Sequence, residues 1–371
     1  MADSKIDSVV LFDELPASNN YKLARATLNI PTTLNALTTD CVELLLLQLA
    51  AWATDDSIAC VVIDGSGEKA FCAGGDVQAL HASAVATPGG PCVDAENFFA
   101  REYRMNHLLH TYNKPIIVWG DGIVMGGGLG IFAGGSHRVV TETSRFAMPE
   151  VTIGLYPDVG GSYFLNRMPK STGRFLALTG ASFNAADAVY TGIANHFINR
   201  DSFQSVVDQL IIAAPTKHDQ VTSLLNQFEA QSFSALPTAN VEPHSEIIES
   251  LVGDQPIQQV MKNFAALQTD DKWLAKAKQS IEHGSSLSVL LIDKQLSVCT
   301  ELPLGECFQA ELVLSTNIVR YPEFAEGVRA LLIDKDRNPQ WQFSAIDKVP
   351  ADLVDAFFIA PWQDNPLNDL I

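Results

Sequence analysis

Apolar and polar residues alternate over Val9–Phe12 and again over Leu23–Leu28, the period of half-buried strands. From Thr39 to about Thr54 the spacing becomes helical, with Thr38 or Thr39 able to cap and Glu43 early in the run. Ala59–Asp64 and Pro115–Trp119 are nearly unbroken apolar runs, which predict strands covered on both faces. A Gly74-Gly75 loop leads into a short helix from Asp76. The Thr87–Pro91 break follows, and Asp94 then opens a longer helix through Tyr112. His137–Thr143 and Arg145–Met148 read as further strands. The strand, strand, helix succession predicts an α/β fold for residues 1–200. After Asp201 helical spacing dominates, notably over Gly284–Thr300, Glu306–Val319 and Glu323–Leu332. Residues 201–371 are therefore expected to form a mainly helical C-terminal region.

Composition narrows the class. The chain has 371 residues, 47% hydrophobic and 18% charged, enough for a substantial core. Its longest apolar stretch, Cys41–Ala53, contains Glu43 and Gln48 and is too short to span a bilayer, so no membrane partner is expected. A net charge of −19 without a Lys/Arg cluster argues against nucleic acid. Six cysteines without Cys-x-x-Cys or framework spacing read as reduced thiols. The first seven residues lack a basic region followed by an apolar one and are not Arg-rich, so the expected location is cytoplasmic.

Candidate chemistry clusters between residues 70 and 161. Glu150 and Asp158 sit in a stretch otherwise apolar or small, where burial would push a carboxyl toward the range useful for acid/base or nucleophilic work. Two glycine clusters precede them, Ala70–Asp76 and Met125–Gly130. Glycine lets a backbone N–H approach a substrate oxygen closely, and two converging N–H groups make an oxyanion hole. Plainer readings stand beside these: Asp76 as a helix cap, Glu150 as a surface residue, Asp158 as a turn or cap residue, and Glu102 in a solvated ion pair with Arg101 or Arg104. The run Gly128–Ala133 matches a dinucleotide fingerprint only formally, because too few residues follow for the required helix. His107 and His110 lack a third ligand for zinc. No Gly-x-Ser-x-Gly elbow or nucleotide phosphate loop is present, and Cys72 has no histidine near it in sequence.

Leu34–Leu37, Ala70–Val77, Gly122–Gly130 and Phe146–Glu150 resemble the crotonase (enoyl-CoA hydratase/isomerase) superfamily. Gly154–Leu165 and Glu323–Asp336 look like its branch that hydrolyses 3-hydroxyisobutyryl-CoA. The resemblance implies a ββα spiral core followed by helices, and an acyl-CoA substrate that brings its own coenzyme A, with no cofactor besides. It implies oxyanion-hole N–H groups on Gly75 and Gly127, catalytic carboxylates on Glu150 and Asp158, and Glu102, Gly127, Glu150 and Asp158 in contact with substrate. The expected activity is thioester hydrolysis of a short branched 3-hydroxyacyl-CoA on the valine catabolic route; the alternative is an enoyl-CoA hydratase/isomerase. Hydratases of the family carry a second catalytic Glu where this chain has Gly130, and adding water across a double bond needs two acid/base groups. The family also has a basic residue before Leu34 that touches the CoA phosphates, replaced here by Pro31-Thr32-Thr33. A homo-oligomer is expected, since superfamily members often form trimers or pairs of trimers.

Overall fold

The computed structural model describes residues 8–371; the N-terminal seven, read above for a leader, lie outside it. The chain divides into two units. The first takes the chain up to Gly75, Met105–Phe146 and Phe183–Asn240; the second takes Asp76–Arg104, Ala147–Ser182 and Val241–Ile371. The compact units thus interleave along the chain and do not part at residue 200. What changes near 200 is secondary structure: the last strand ends at Phe197, and only helices and turns follow.

The first unit is built on strands β1 (Val10–Pro16), β2 (Lys22–Leu28), β3 (Ile58–Gly65), β4 (Ala70–Cys72), β5 (Ile116–Gly120), β6 (Ile123–Met125), β7 (His137–Val140), β8 (Arg145–Ala147), β9 (Phe183–Asn184) and β10 (His196–Phe197). They form a six-stranded sheet, β1-β2-β3-β5-β7-β10, and a four-stranded one, β4-β6-β8-β9. In the successive pairs β3/β4, β5/β6 and β7/β8 the first strand joins the larger sheet and the second the smaller. This is the expected ββα spiral. Only β1 runs antiparallel in the larger sheet, from Val10 opposite Leu28 to Pro16 opposite Lys22. β3 and β5 are buried almost throughout, as their unbroken apolar text requires of strands covered on both faces. On one face Leu23, Val62, Ile117, Trp119 and Val139 pack against Val206, Leu210, Val221 and Leu225 of the helices Phe203–Ala213 and His218–Ser232.

His137 lies buried in this unit, its ring stacked on His196 and His218. Burial pushes it down from 6.5 to about 4. A group held neutral in this way contributes stability that is present above its unfolded value and lost as pH falls through the folded one. The melting temperature should therefore drop as pH goes from about 6.5 to about 4, and less so in His137→Gln, measured by calorimetry.

Helix α1 (Thr39–Thr54) starts as expected, with the Thr38 hydroxyl accepting from Cys41 N. In the second unit, Asp76 caps α2 (Val77–Ala86) by accepting from Ala79 N at 3.1 Å. The longer elements of that unit are helices, including Thr172–Thr179, Lys272–His283, Ser286–Cys299 and Leu304–Val319.

Candidate active site

In the first unit the two glycine clusters meet. β6 ends at Met125, and Gly126 turns the chain into helix α4 (Gly127–Gly134), so the Gly127 N–H lies in the first turn, where no intrahelical acceptor exists. Gly74 has φ +119, which only glycine adopts easily, and a Cβ there would lie 3.8 Å from Gly127 N. A Cβ on Gly128 would stand 2.3 Å from the Cys72 carbonyl oxygen, so that contact admits nothing larger than glycine. Leu37 N donates to Gly74 O at 2.8 Å and fixes the first loop. Gly74, the neighbour of Gly75 in the chain, thus lies against the first residue of α4, Gly127. Gly130 is buried inside α4.

The carboxylates gather in the second unit. Glu150 opens a single helical turn, Glu150–Ile153, closed by Gly154 at φ 70. A Cβ on Gly154 would sit 2.5 Å from Glu323 O, which explains the glycine. Asp158 follows on a turn whose next residue, Val159, has φ 54. A β-branched residue in the left-handed region stores roughly 1–3 kcal/mol and persists only where its surroundings hold it. The holder is Glu311, buried on the helix Leu304–Val319, whose Oε2 accepts from Gly160 N at 2.8 Å and Oε1 from Ser162 N at 2.9 Å. Glu311 therefore caps the short helix α5 (Gly161–Phe164), and the capping reading of Asp158 gives way.

The Asp158 carboxyl instead meets α3 (Val93–His110): Tyr103 Oη lies 2.6 Å from Asp158 Oδ2 and 2.6 Å from Ser315 Oγ. Tyr156 donates to Glu311 O at 2.8 Å and lies 3.0 Å from Ser315 Oγ. Glu102, one residue before Tyr103, is buried as well, so the solvated ion pair is excluded; Arg104 pairs with Asp369. Helix geometry explains the difference, since polar neighbours in sequence lie on other faces of α3. Glu102 Oε1 and Glu150 Oε2 are buried without a hydrogen-bond partner among the described residues.

The charges here are mutually adverse. Burial first, then the Asp158, Glu150 and Glu311 carboxyls, push Glu102 well above the usual carboxylate range. Burial and Asp158 do the same to Glu150; burial lifts Asp158 to about 6, and burial with the Asp158 carboxyl lifts Glu311 to about 8. A neutral or readily protonated acid beside a second one is the raw material of proton-transfer chemistry.

Tyr103, Ser315 and Glu311 escape a reading of motifs. A signal for the last two is present nonetheless. Glu311 and Ser315 are four apart on the buried stripe of a helix that also carries Phe308, Leu312 and Val319, where a polar residue is out of pattern.

Among the described residues no cluster of His, Cys, Asp and Glu is arranged to hold a metal, and no helix is long and apolar enough to cross a membrane. The chain matches the enoyl-CoA hydratase/isomerase family over residues 23–358. It is 37% identical to "3-hydroxyisobutyryl-CoA hydrolase, mitochondrial" of Danio rerio, over 96% of this chain and 91% of that protein. The protein of the same name from Dictyostelium discoideum is 32% identical over 95% and 93%. Among solved structures, a carnitinyl-CoA dehydratase from Mycobacterium thermoresistibile superposes with a TM-score of 0.85 at 32% identity, covering 97% of this chain and 98% of that one. An enoyl-CoA hydratase from Rhodobacter sphaeroides gives 0.82 at 30% identity, over 95% and 98%. Spiral sheets, glycine loops and sequence likeness along nearly the whole length agree: the chain belongs to the enoyl-CoA hydratase/isomerase family.

Proposed function

We propose that the protein hydrolyses the thioester of a short branched 3-hydroxyacyl-CoA, 3-hydroxyisobutyryl-CoA above all, to the free acid and CoA thiol. The observation that carries this reading is the buried Glu150 with an unpartnered oxygen, beside Asp158 and with glycine at position 130. Hydrolysis needs a group that activates water or attacks the carbonyl, which Glu150 can be, whereas hydration of a double bond also draws on the second glutamate that the family's hydratases carry where this chain has Gly130. Gly75 and Gly127 N–H groups take the thioester oxygen and stabilise its negative charge in the tetrahedral intermediate. Glu150 acts on water or carbonyl carbon, Asp158 meets the acyl hydroxyl, and Glu102 lines the acyl pocket. No cofactor beyond the substrate's own coenzyme A is needed. Relatives named for 3-hydroxyisobutyryl-CoA hydrolysis support the substrate, and with it a place in valine degradation.

The second reading, hydration of an enoyl-CoA, rests on the two solved neighbours named for such chemistry. Thiol release from 3-hydroxyisobutyryl-CoA, followed with a thiol reagent, is the expected activity. Loss of crotonyl-CoA absorbance with no thiol released would give the second reading the place of the first.

The missing basic residue before Leu34 has a substitute. Pro31, Leu34, Asn35 and Ser66 line a cavity of about 280 Å³ in the first unit, with Lys69 on its wall next to Glu68. We assign Lys69 to the CoA phosphates. Lys69→Ala should raise KM for CoA esters roughly tenfold, the scale of one charge-assisted hydrogen bond, with kcat little changed. An unaltered KM would remove Lys69 from this role.

None of the six cysteines forms a disulfide and all are buried, which suits a reducing compartment. The cytoplasm is our reading; the relatives' names say mitochondrial, and recovery of the full chain in purified mitochondria would decide for them. Assembly as a homo-oligomer is proposed from the family habit, and a monomeric mass by light scattering at micromolar concentration would refute it.

A further inference from the structure

A carbonyl can only accept, so the Tyr156 proton is committed to Glu311 O at 2.8 Å. The 3.0 Å contact between Tyr156 and Ser315 then needs the Ser315 proton. With that spent, the 2.6 Å contact between Ser315 and Tyr103 needs the proton of Tyr103. The 2.6 Å contact between Tyr103 and Asp158 Oδ2 is left without a hydrogen. Three hydroxyls supply three protons and four contacts require four. The fourth can come only from the carboxyl.

We propose that Asp158 carries a proton on Oδ2 in the resting protein, and that Tyr103, Ser315 and Tyr156 keep it there as a one-way hydrogen-bond chain ending on the Glu311 carbonyl. These three are positioning residues that act through Asp158. Glu311 holds the far end twice, by its carbonyl to Tyr156 and by its carboxylate to Gly160 and Ser162.

The surroundings favour the neutral acid. Asp158, Tyr103, Tyr156, Ser315 and Glu311 are all buried, where a contact lacking its hydrogen is costly. The titratable groups facing Asp158 are Glu102 and Tyr103 from α3, Glu150, Tyr156, and Glu311 from the helix Leu304–Val319; none is a cation. Burial lifts the Asp158 carboxyl to about 6 even against a Tyr103 hydroxyl turned toward it as donor. With that hydroxyl turned to Ser315, its part of the opposing pull is gone, and only a backbone hydrogen bond still favours the charged form. A proton committed to Oδ2 leaves Oδ1 as a carbonyl oxygen, an acceptor for the O–H of a hydroxylated acyl chain. This last consequence rests on the proposed substrate; the protonation does not.

The test is isotope-edited infrared spectroscopy of the full-length protein, titrating the protonated-carboxyl band that disappears in Asp158→Asn. In the wild type the band should persist near neutrality. In Ser315→Ala, Tyr103 has no acceptor except Asp158 and must donate to it, so the titration midpoint should fall by roughly one pH unit or more. Tyr103→Phe removes the acceptor of the neutral form, and the midpoint should fall there also. If Tyr103 instead donates to an ionised Asp158 in the wild type, Tyr103→Phe raises the midpoint and Ser315→Ala leaves it in place; either result overturns the proposal. The pH profile of thiol release should move with the band. A band that behaves as stated in a protein that releases no thiol at any pH would refute the hydrolase reading and leave the chain standing.

Discussion

Glu150→Gln is expected to lower kcat on 3-hydroxyisobutyryl-CoA by at least about a hundredfold, while the melting temperature at pH 8 stays level or rises. The first half follows from removing the acid/base group or nucleophile, whose loss costs about two to four orders of magnitude. The second follows from burial. Glu150 is 5% exposed, and its carboxyl is held well above the ordinary range by burial and by Asp158. A raised carboxyl contributes stability below its unfolded value and loses it as pH rises through the folded one. At pH 8 an amide of the same shape is spared that loss. A catalytic carboxylate and a structural one thus differ in sign: a structural glutamate would lose stability when replaced. Turnover near that of the wild type in a purified, folded Glu150→Gln protein would take Glu150 out of the mechanism.

Selectivity for the acyl hydroxyl should be the other large effect. An apolar pocket separates chains that differ by one methylene by only ~1–3 kcal/mol, whereas a buried polar group left without its partner discriminates by roughly 10,000-fold. Asp158 is such a group, buried beside Tyr103 on a turn strained at Val159 and anchored by Glu311. We expect kcat/KM for 3-hydroxyisobutyryl-CoA to exceed that for isobutyryl-CoA by about that factor. Asp158→Ala should shrink the ratio to roughly 100-fold or less, besides lowering the rate. The measurement is kcat/KM for both esters with both proteins. A ratio unchanged in the variant would mean that Asp158 serves the reaction without reading the hydroxyl.

Much of this was legible in the residues. Period-two text marks β1 and β2, unbroken apolar runs mark β3 and β5, and Thr38 and Asp76 cap the helices they precede. These features depend on neighbours within a turn or a strand, which is the range over which sequence patterns act. Glycines at 74, 75 and 127 announced close backbone approach, and Glu150 and Asp158 stood out as carboxylates in apolar text.

Other features depend on distance along the chain. The boundary expected at 200 marks only where strands stop, because each compact unit is assembled from three separate segments. Glu102 reads as a solvated helix residue until α3 is packed and its face is known. Tyr103 meets Ser315 across 212 residues, and Glu311 grips Gly160 across 151. The sequence by itself determined the elements, their caps and the identity of the acids. Only the tertiary structure decided which acids are buried together and which residues meet Asp158. Burial and proton count are properties of an environment assembled from remote segments, and no local pattern encodes them.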